Sequence, residues 1–138
     1  MTKSRTDRTH NRVYASMANK FMEGNYMSIK MIANGKARDM VDKRAPFRGS
    51  NVWGATQWDD KHETCRYVVY SYRYTWPLYV YDSVAETWFE NDSQYSQTTS
   101  RHRNQCRPTG VETVKLKVED MLIVADKGVV GLIEKGVM

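Results

Sequence analysis

From Arg66 to Arg73 the chain alternates, with Tyr67, Val69 and Ser71 on one side and Val68, Tyr70 and Tyr72 on the other. A period of two is that of a β-strand, and bulk on both faces predicts a strand that is central or covered on both sides. A turn around Tyr74-Thr75-Trp76-Pro77 leads into a second strand, Leu78 to Asp82. Pro77 belongs at a strand start or an edge, because proline has no N–H to give a ladder. After an Asp82-to-Glu86 turn, Thr87-Trp88-Phe89-Glu90 completes a meander of three antiparallel strands. Val111 to Lys117 alternates again, with Val114 and Leu116 on one face, and predicts a fourth.

Upstream the spacing changes to the helical one. Asn11 is placed to cap a helix in which Val13, Met17 and Phe21 recur every four residues, ending at Gly24. Ser28 is a second cap, opening a brief turn through Ile29, Ile32 and Ala33 that Asn34-Gly35 terminates. Lys36 to Arg44 is ambiguous, and Pro46 disfavours helix at Ala45. Residues 46–65 read as an irregular connection that turns at Asp59-Asp60. It either packs Trp53 and Trp58 over the sheet, the reading preferred because tryptophan is well buried on average, or contributes them to a binding surface. Ser96 caps a helix of two or three turns over Gln97 to Gln105. Thr98, Arg101 and Gln105 share one of its faces, and Thr99, His102 and Cys106 another. The weak helix formers Thr98-Thr99-Ser100 leave a loop as the alternative. Glu119 to Ala125 predicts a short apolar helix closed near Gly128, followed by a tail that packs Val130, Leu132 and Ile133 or frays.

The pattern therefore predicts one α+β domain over residues 11–138 behind a flexible basic tail, residues 1–10. Its parts are N-terminal helical segments, a small antiparallel sheet of about four strands and a short C-terminal helix. A chain of 138 residues builds such a core without disulfide or metal staples. Its two cysteines are too few for a disulfide framework. No apolar run approaches membrane-spanning length, and the polar start lacks the apolar centre of a secretory signal, so the expectation is cytosolic residence with no membrane partner. Net charge is +5, with the excess concentrated in residues 1–12 and 30–48. A basic balance favours encounter with polyanions.

Val69-Tyr70-Ser71-Tyr72, Pro77-Leu78-Tyr79-Val80-Tyr81-Asp82, Trp88, Asn91 and Tyr95-Ser96-Gln97-Thr98-Thr99-Ser100-Arg101-His102 resemble a pattern in small bacteriophage proteins. There a Tyr-Ser-Tyr strand is followed by a short strand and then by a Tyr-Ser-x-Thr-Thr-Ser-x-His block. The resemblance covers the middle third of the chain and extends back towards Pro46-Phe47-Arg48-Gly49-Ser50-Asn51; Cys106 lies outside it. It implies a phage origin, an accessory non-structural role and residence in the host cell cytoplasm. It carries over no activity.

The densest candidate chemistry is the hydroxyl-basic block. Thr98, Thr99, Ser100, Arg101, His102, Arg103 and Arg107 offer donors that suit phosphate oxygens. Tyr72, Tyr74 and Trp76, on the neighbouring hairpin, are the expected stacking partners for bases. The plainer reading braces the threonines against the sheet and leaves the arginines solvated. His62, Cys65, His102 and Cys106 combine imidazole and thiolate in a set that zinc accepts, but their spacing matches no standard finger. A buried free thiol and exposed histidines form the simpler account, with no cofactor.

An enzyme would need a nucleophile or a paired acid and base. His102 with Ser100 or Cys106, and the carboxylates Asp82, Glu86, Glu90 and Asp92, are the available groups. Ser100 and His102 are too close in sequence to face each other on a regular element, and no phosphate loop or His-Glu-x-x-His is present. The reading adopted is a non-catalytic phage accessory protein that binds nucleic acid or another phosphate ligand. Its alternative is a host-takeover or anti-defence protein that blocks a bacterial protein through its aromatics and arginines.

Overall fold

A computed structural model describes residues 29, 31–59, 64–71, 76–94 and 96–138. The expected basic tail and the helix beginning at Asn11 lie outside these residues. The α+β class holds, but the sheet is mixed and has six strands, not antiparallel with about four. The helices expected near Gln97–Gln105 and Glu119–Ala125 are present, while those at Ala37–Asp42 and Val129–Lys135 were not expected as such.

In chain order a 3₁₀ turn at Asn34–Lys36 runs into α1 (Ala37–Asp42). β1 (Phe47–Arg48), β2 (Val52–Asp59), β3 (Thr64–Ser71), β4 (Pro77–Asp82) and β5 (Thr87–Asn91) follow. Then come α2 (Gln97–Cys106), β6 (Thr113–Leu116), α3 (Val118–Lys127) and α4 (Val129–Lys135). The strands lie side by side in sequence order. Pairing is antiparallel from β1 to β5 and parallel between β5 and β6. A parallel neighbour needs a crossover, and α2 is that crossover.

Both faces of the sheet are covered. Val68, Tyr70, Val80 and Phe89 pack beneath Met121, Val124 and Leu132 of α3 and α4. Tyr67, Val69, Tyr79 and Trp88 pack beneath Ala37 and Val41 of α1 and Cys106 of α2. The two-sided burial of β3 follows the alternation of its sequence. On the α3/α4 face Tyr70 stacks on Trp53 with centroids 4.6 Å apart.

The largest departure from the sequence expectation is β2. Residues 52–59 form an eight-residue strand paired along its whole length with β3, where an irregular loop was expected. Gly54 is one reason its pattern misleads, since glycine inside a strand reads as a breaker. A Cβ there would come within 2.6 Å of the Phe47 ring and 2.7 Å of the Tyr67 hydroxyl, so the close approach of neighbours demands glycine. The expected helical turn after Ser28 is replaced by a bridge between Met31 and Arg48, with the helix starting later, at Asn34. The C-terminal tail forms the helix α4.

A buried pair of charges fastens α3 and α4 to the sheet. Arg66 and Asp82 face each other in register on β3 and β4. Arg66 Nε and Nη2 donate to the carbonyls of Ala125 and Asp126 at 3.0 and 2.8 Å, closing the C-terminus of α3. Asp82 accepts from the N–H of Val129 at 2.7 Å, at the start of α4, and from Val84 and Ala85 at 2.8 and 2.9 Å in the β4–β5 turn. Gly128, with φ +74°, makes the joint between the helices, and a Cβ there would lie 2.7 Å from the Asp82 carboxylate.

Candidate functional site

The block singled out in the sequence is mostly α2. Ser96 caps it, its Oγ accepting from the Thr99 N–H at 3.1 Å, so the weak helix formers that follow are held in helix after all. The inward face is Thr99, His102 and Cys106, all buried. His102 Nδ1 and Ser71 Oγ share a hydrogen bond of 2.7 Å beneath the helix. Burial, with a smaller push from Arg101, holds the His102 imidazole below its ordinary value and keeps it neutral. The unfolded chain takes up a proton below about pH 6.5 that the fold refuses, so acid lowers stability until the folded-state value is passed. Urea titrations from pH 7 to 5 should show that loss, and a smaller one in His102→Gln; parallel curves would count against a buried neutral imidazole. Cys106 is equally enclosed, and burial, opposed by the weaker pull of Arg38, pushes its thiol up to about 12.

The arginines divide. Arg107 Nη1 and Nη2 donate to the two oxygens of Glu90 at 2.9 and 3.0 Å, and Thr113 Oγ1 donates to the same carboxylate at 2.6 Å. Arg103 Nη1 donates to the Asn91 carbonyl at 2.7 Å, with its Nε 3.8 Å from Glu90. The Tyr79 hydroxyl donates to the Arg103 carbonyl at 3.0 Å. These two residues lash α2 to β5 and β4. Arg101, one step round the helix, points outward. It lines a polar groove of about 730 Å³ with Gln94, Ser96, Gln97, Ser100 and Asn104.

α1 lies alongside α2. Arg38 Nη2 donates to the Asn104 carbonyl at 2.7 Å, and Thr109 donates through its N–H and hydroxyl to Asp42, both at 2.7 Å. Two basic stretches far apart in sequence thus share one layer. It carries Lys36, Arg38, Lys43, Arg44, Arg101, Arg103 and Arg107 against Asp39, Asp42 and the buried Glu90. The layer of α3 and α4, over residues 117–135, holds three lysines against four acids. Among the described residues, positive charge is gathered on the α1/α2 side.

Of the expected stacking residues, Tyr72 and Tyr74 lie outside the described residues. Trp76 is half-buried against the α1/α2 core. Of the expected metal set His62 lies outside them, Cys65 stands at the start of β3, and His102 and Cys106 are the buried pair of α2. The described residues contain no group of three or more such side chains placed to hold a metal. Asp82 and Glu90, considered as acids or bases, are bound up in helix capping and in the arginine network. Ser100 and His102 stand on opposite walls of α2.

Two residues outside the expected site are prominent, one of them, Trp58, against the expectation that it packs over the sheet. Trp58, near the end of β2, is 54% exposed. Arg44 holds its guanidinium 4.2 Å from the centre of the Tyr81 ring. The signal for Trp58 was its two-residue spacing from Thr56 and Gly54, hidden once the segment was read as loop. No helix among the described residues is long and apolar enough to cross a membrane. Compared with protein-family models, curated proteins and solved structures, the chain matches none.

Proposed function

We propose that this chain is a non-catalytic binding protein for phosphate-bearing polyanions, acting through the layer built by α1 and α2. In the setting its phage resemblance implies, this is an accessory role inside an infected host cell. The observation that carries the reading is the junction of the two basic stretches on one side of the sheet, with the other layer slightly acidic. Gathered cations steer and hold a polyanion far better than the same charges spread evenly. Arg101 is the contact least tied up by the fold, and Ser100, Gln97 and Asn104 line the groove beside it as hydrogen-bonding groups for phosphate oxygens. Arg103 and Arg107 act mainly by fixing α2, so their removal is no clean test of binding.

Arg101→Ala is the clean test. Anisotropy of a labelled oligonucleotide, read over a range of salt, should give binding that weakens steeply as salt rises in the parent. In the variant affinity should fall and the salt slope should decrease by about 1, the mark of one lost phosphate contact. An unchanged slope removes Arg101 from the interface.

A further inference from the structure

We propose that the exposed end of the sheet on the α1/α2 side, bearing Trp58 and the Arg44–Tyr81 stack, is a base-stacking platform, which makes the polyanion a single-stranded nucleic acid. The inference rests on the polyanion reading and names its substrate class. Its first support is the row of side chains on this face. Thr56, Tyr67, Tyr81 and Trp88 are register partners across β2, β3, β4 and β5. Trp58 lies two residues beyond Thr56 on the same face, opposite Cys65. Tyr67 and Tyr81 are braced by Trp88, at 6.2 Å edge-on and 5.3 Å tilted. The aromatic row is therefore rigid underneath. Trp58, at its open end, leaves more than half of its surface to solvent.

The second support is Arg44. It is one of two non-glycine residues with positive φ among those described, at 51°. It occupies the left-handed position after α1, where its N–H donates to the Val41 carbonyl and the next N–H, of Ala45, donates to that of Met40, both at 2.9 Å. Glycine is the usual residue in this motif, and a longer side chain costs about 1 kcal/mol. The arginine accepts that strain and holds its guanidinium 4.2 Å from the centre of the Tyr81 ring, while remaining exposed. A guanidinium backed by an aromatic ring is a planar cation held ready, and its outer face suits a base plane as well as a phosphate. Lys43 beside it adds exposed charge.

Trp58 and the Arg44–Tyr81 pair lie two strands and two residues apart, about 12 Å, on one face of the sheet. Stacking on them needs bases that are not already paired, which selects single strands over duplex. Arg44 and Trp58 would suit a protein interface equally well, and what favours a polyanion is the exposed Lys43 beside them, since lysine is depleted at protein interfaces.

The test uses a labelled pyrimidine oligonucleotide of about twelve nucleotides, within the range that such sites span, its duplex form, and inorganic polyphosphate, which has charge and no bases. Trp58→Ala is expected to weaken single-strand binding about tenfold or more and leave polyphosphate binding unchanged; Trp58→Phe should recover much of the loss. Arg44→Gly should fold at least as stably as the parent by thermal melting and still bind the single strand less tightly. If duplex binds as well as single strand, or Trp58→Ala changes nothing, the platform is wrong and the polyanion reading survives. If the parent protein binds neither oligonucleotide nor polyphosphate at low salt, the polyanion reading itself fails. Loss in Trp58→Ala of a nuclease-resistant protein partner, with no oligonucleotide bound by the parent, would instead make this end of the sheet a protein interface.

Discussion

Arg66→Ala should cost about 3–5 kcal/mol of folding stability, the scale expected when one partner of a buried charged network is deleted. Arg66 is 1% exposed and closes the C-terminus of α3 through two carbonyls. Alanine would leave those carbonyls buried and without their donor. It would also remove the stem that passes beneath Gly128 at the joint of α3 and α4. Domains of this size have stabilities of about 5–15 kcal/mol, so the loss takes a large part of the total. Urea unfolding followed by tryptophan fluorescence should show a much lower midpoint with an unchanged slope. A loss below about 1 kcal/mol would mean that the α3–α4 joint is held by its apolar contacts and that the charge is incidental.

Glu90→Gln should cost about 2–3 kcal/mol at neutral pH, just under the range of about 3–5 kcal/mol for a fully buried broken pair. The carboxylate is 2% exposed, but its bidentate partner Arg107 is substantially solvated, which lowers the figure. Burial alone would raise the Glu90 carboxyl. Hydrogen bonds from Arg107 and Thr113, with the charges of Arg107 and Lys115, outweigh burial and hold it below its ordinary value. Its stabilisation is therefore present above about pH 4.3, the unfolded value, and is lost as pH falls through the lower folded value. The gap between parent and Glu90→Gln should be widest near neutrality and close in acid. A gap independent of pH would assign the loss to packing rather than to the ion pair. Oligonucleotide binding by this variant, measured where it remains folded, should also weaken, because α2 loses its anchor to β5 and with it the position of Arg101.

How much was legible depended on whether a segment's partners were close in sequence. β3, β4 and β5 were readable because each pairs with its neighbour across a connection of few residues, and their alternation states which side chain goes to which face. α2 was readable because its cap, Ser96, sits three residues before the N–H it satisfies, and its buried residues recur at helical spacing. β2 was not, because what makes Gly54 acceptable in a strand is the Phe47 ring and the Tyr67 hydroxyl pressed against it, from two other strands. Nor was the division of the arginines. Arg101, Arg103 and Arg107 look alike in a row of polar residues. Which of them meets solvent is set by Glu90, on a strand that α2 crosses over.

By itself, then, the chain's order of residues determined the α+β character, the central meander, the capped helix and an excess of positive charge, all of which arise from local period and composition. Only the tertiary structure decided that β6 returns parallel to β5, that α1 and α2 merge two distant basic stretches into one layer, and that Trp58 and Arg44 share an open face. Those outcomes depend on contacts between residues tens of positions apart, where a side chain's neighbours, and hence its charge partner and exposure, are set by packing and not by its place in the sequence.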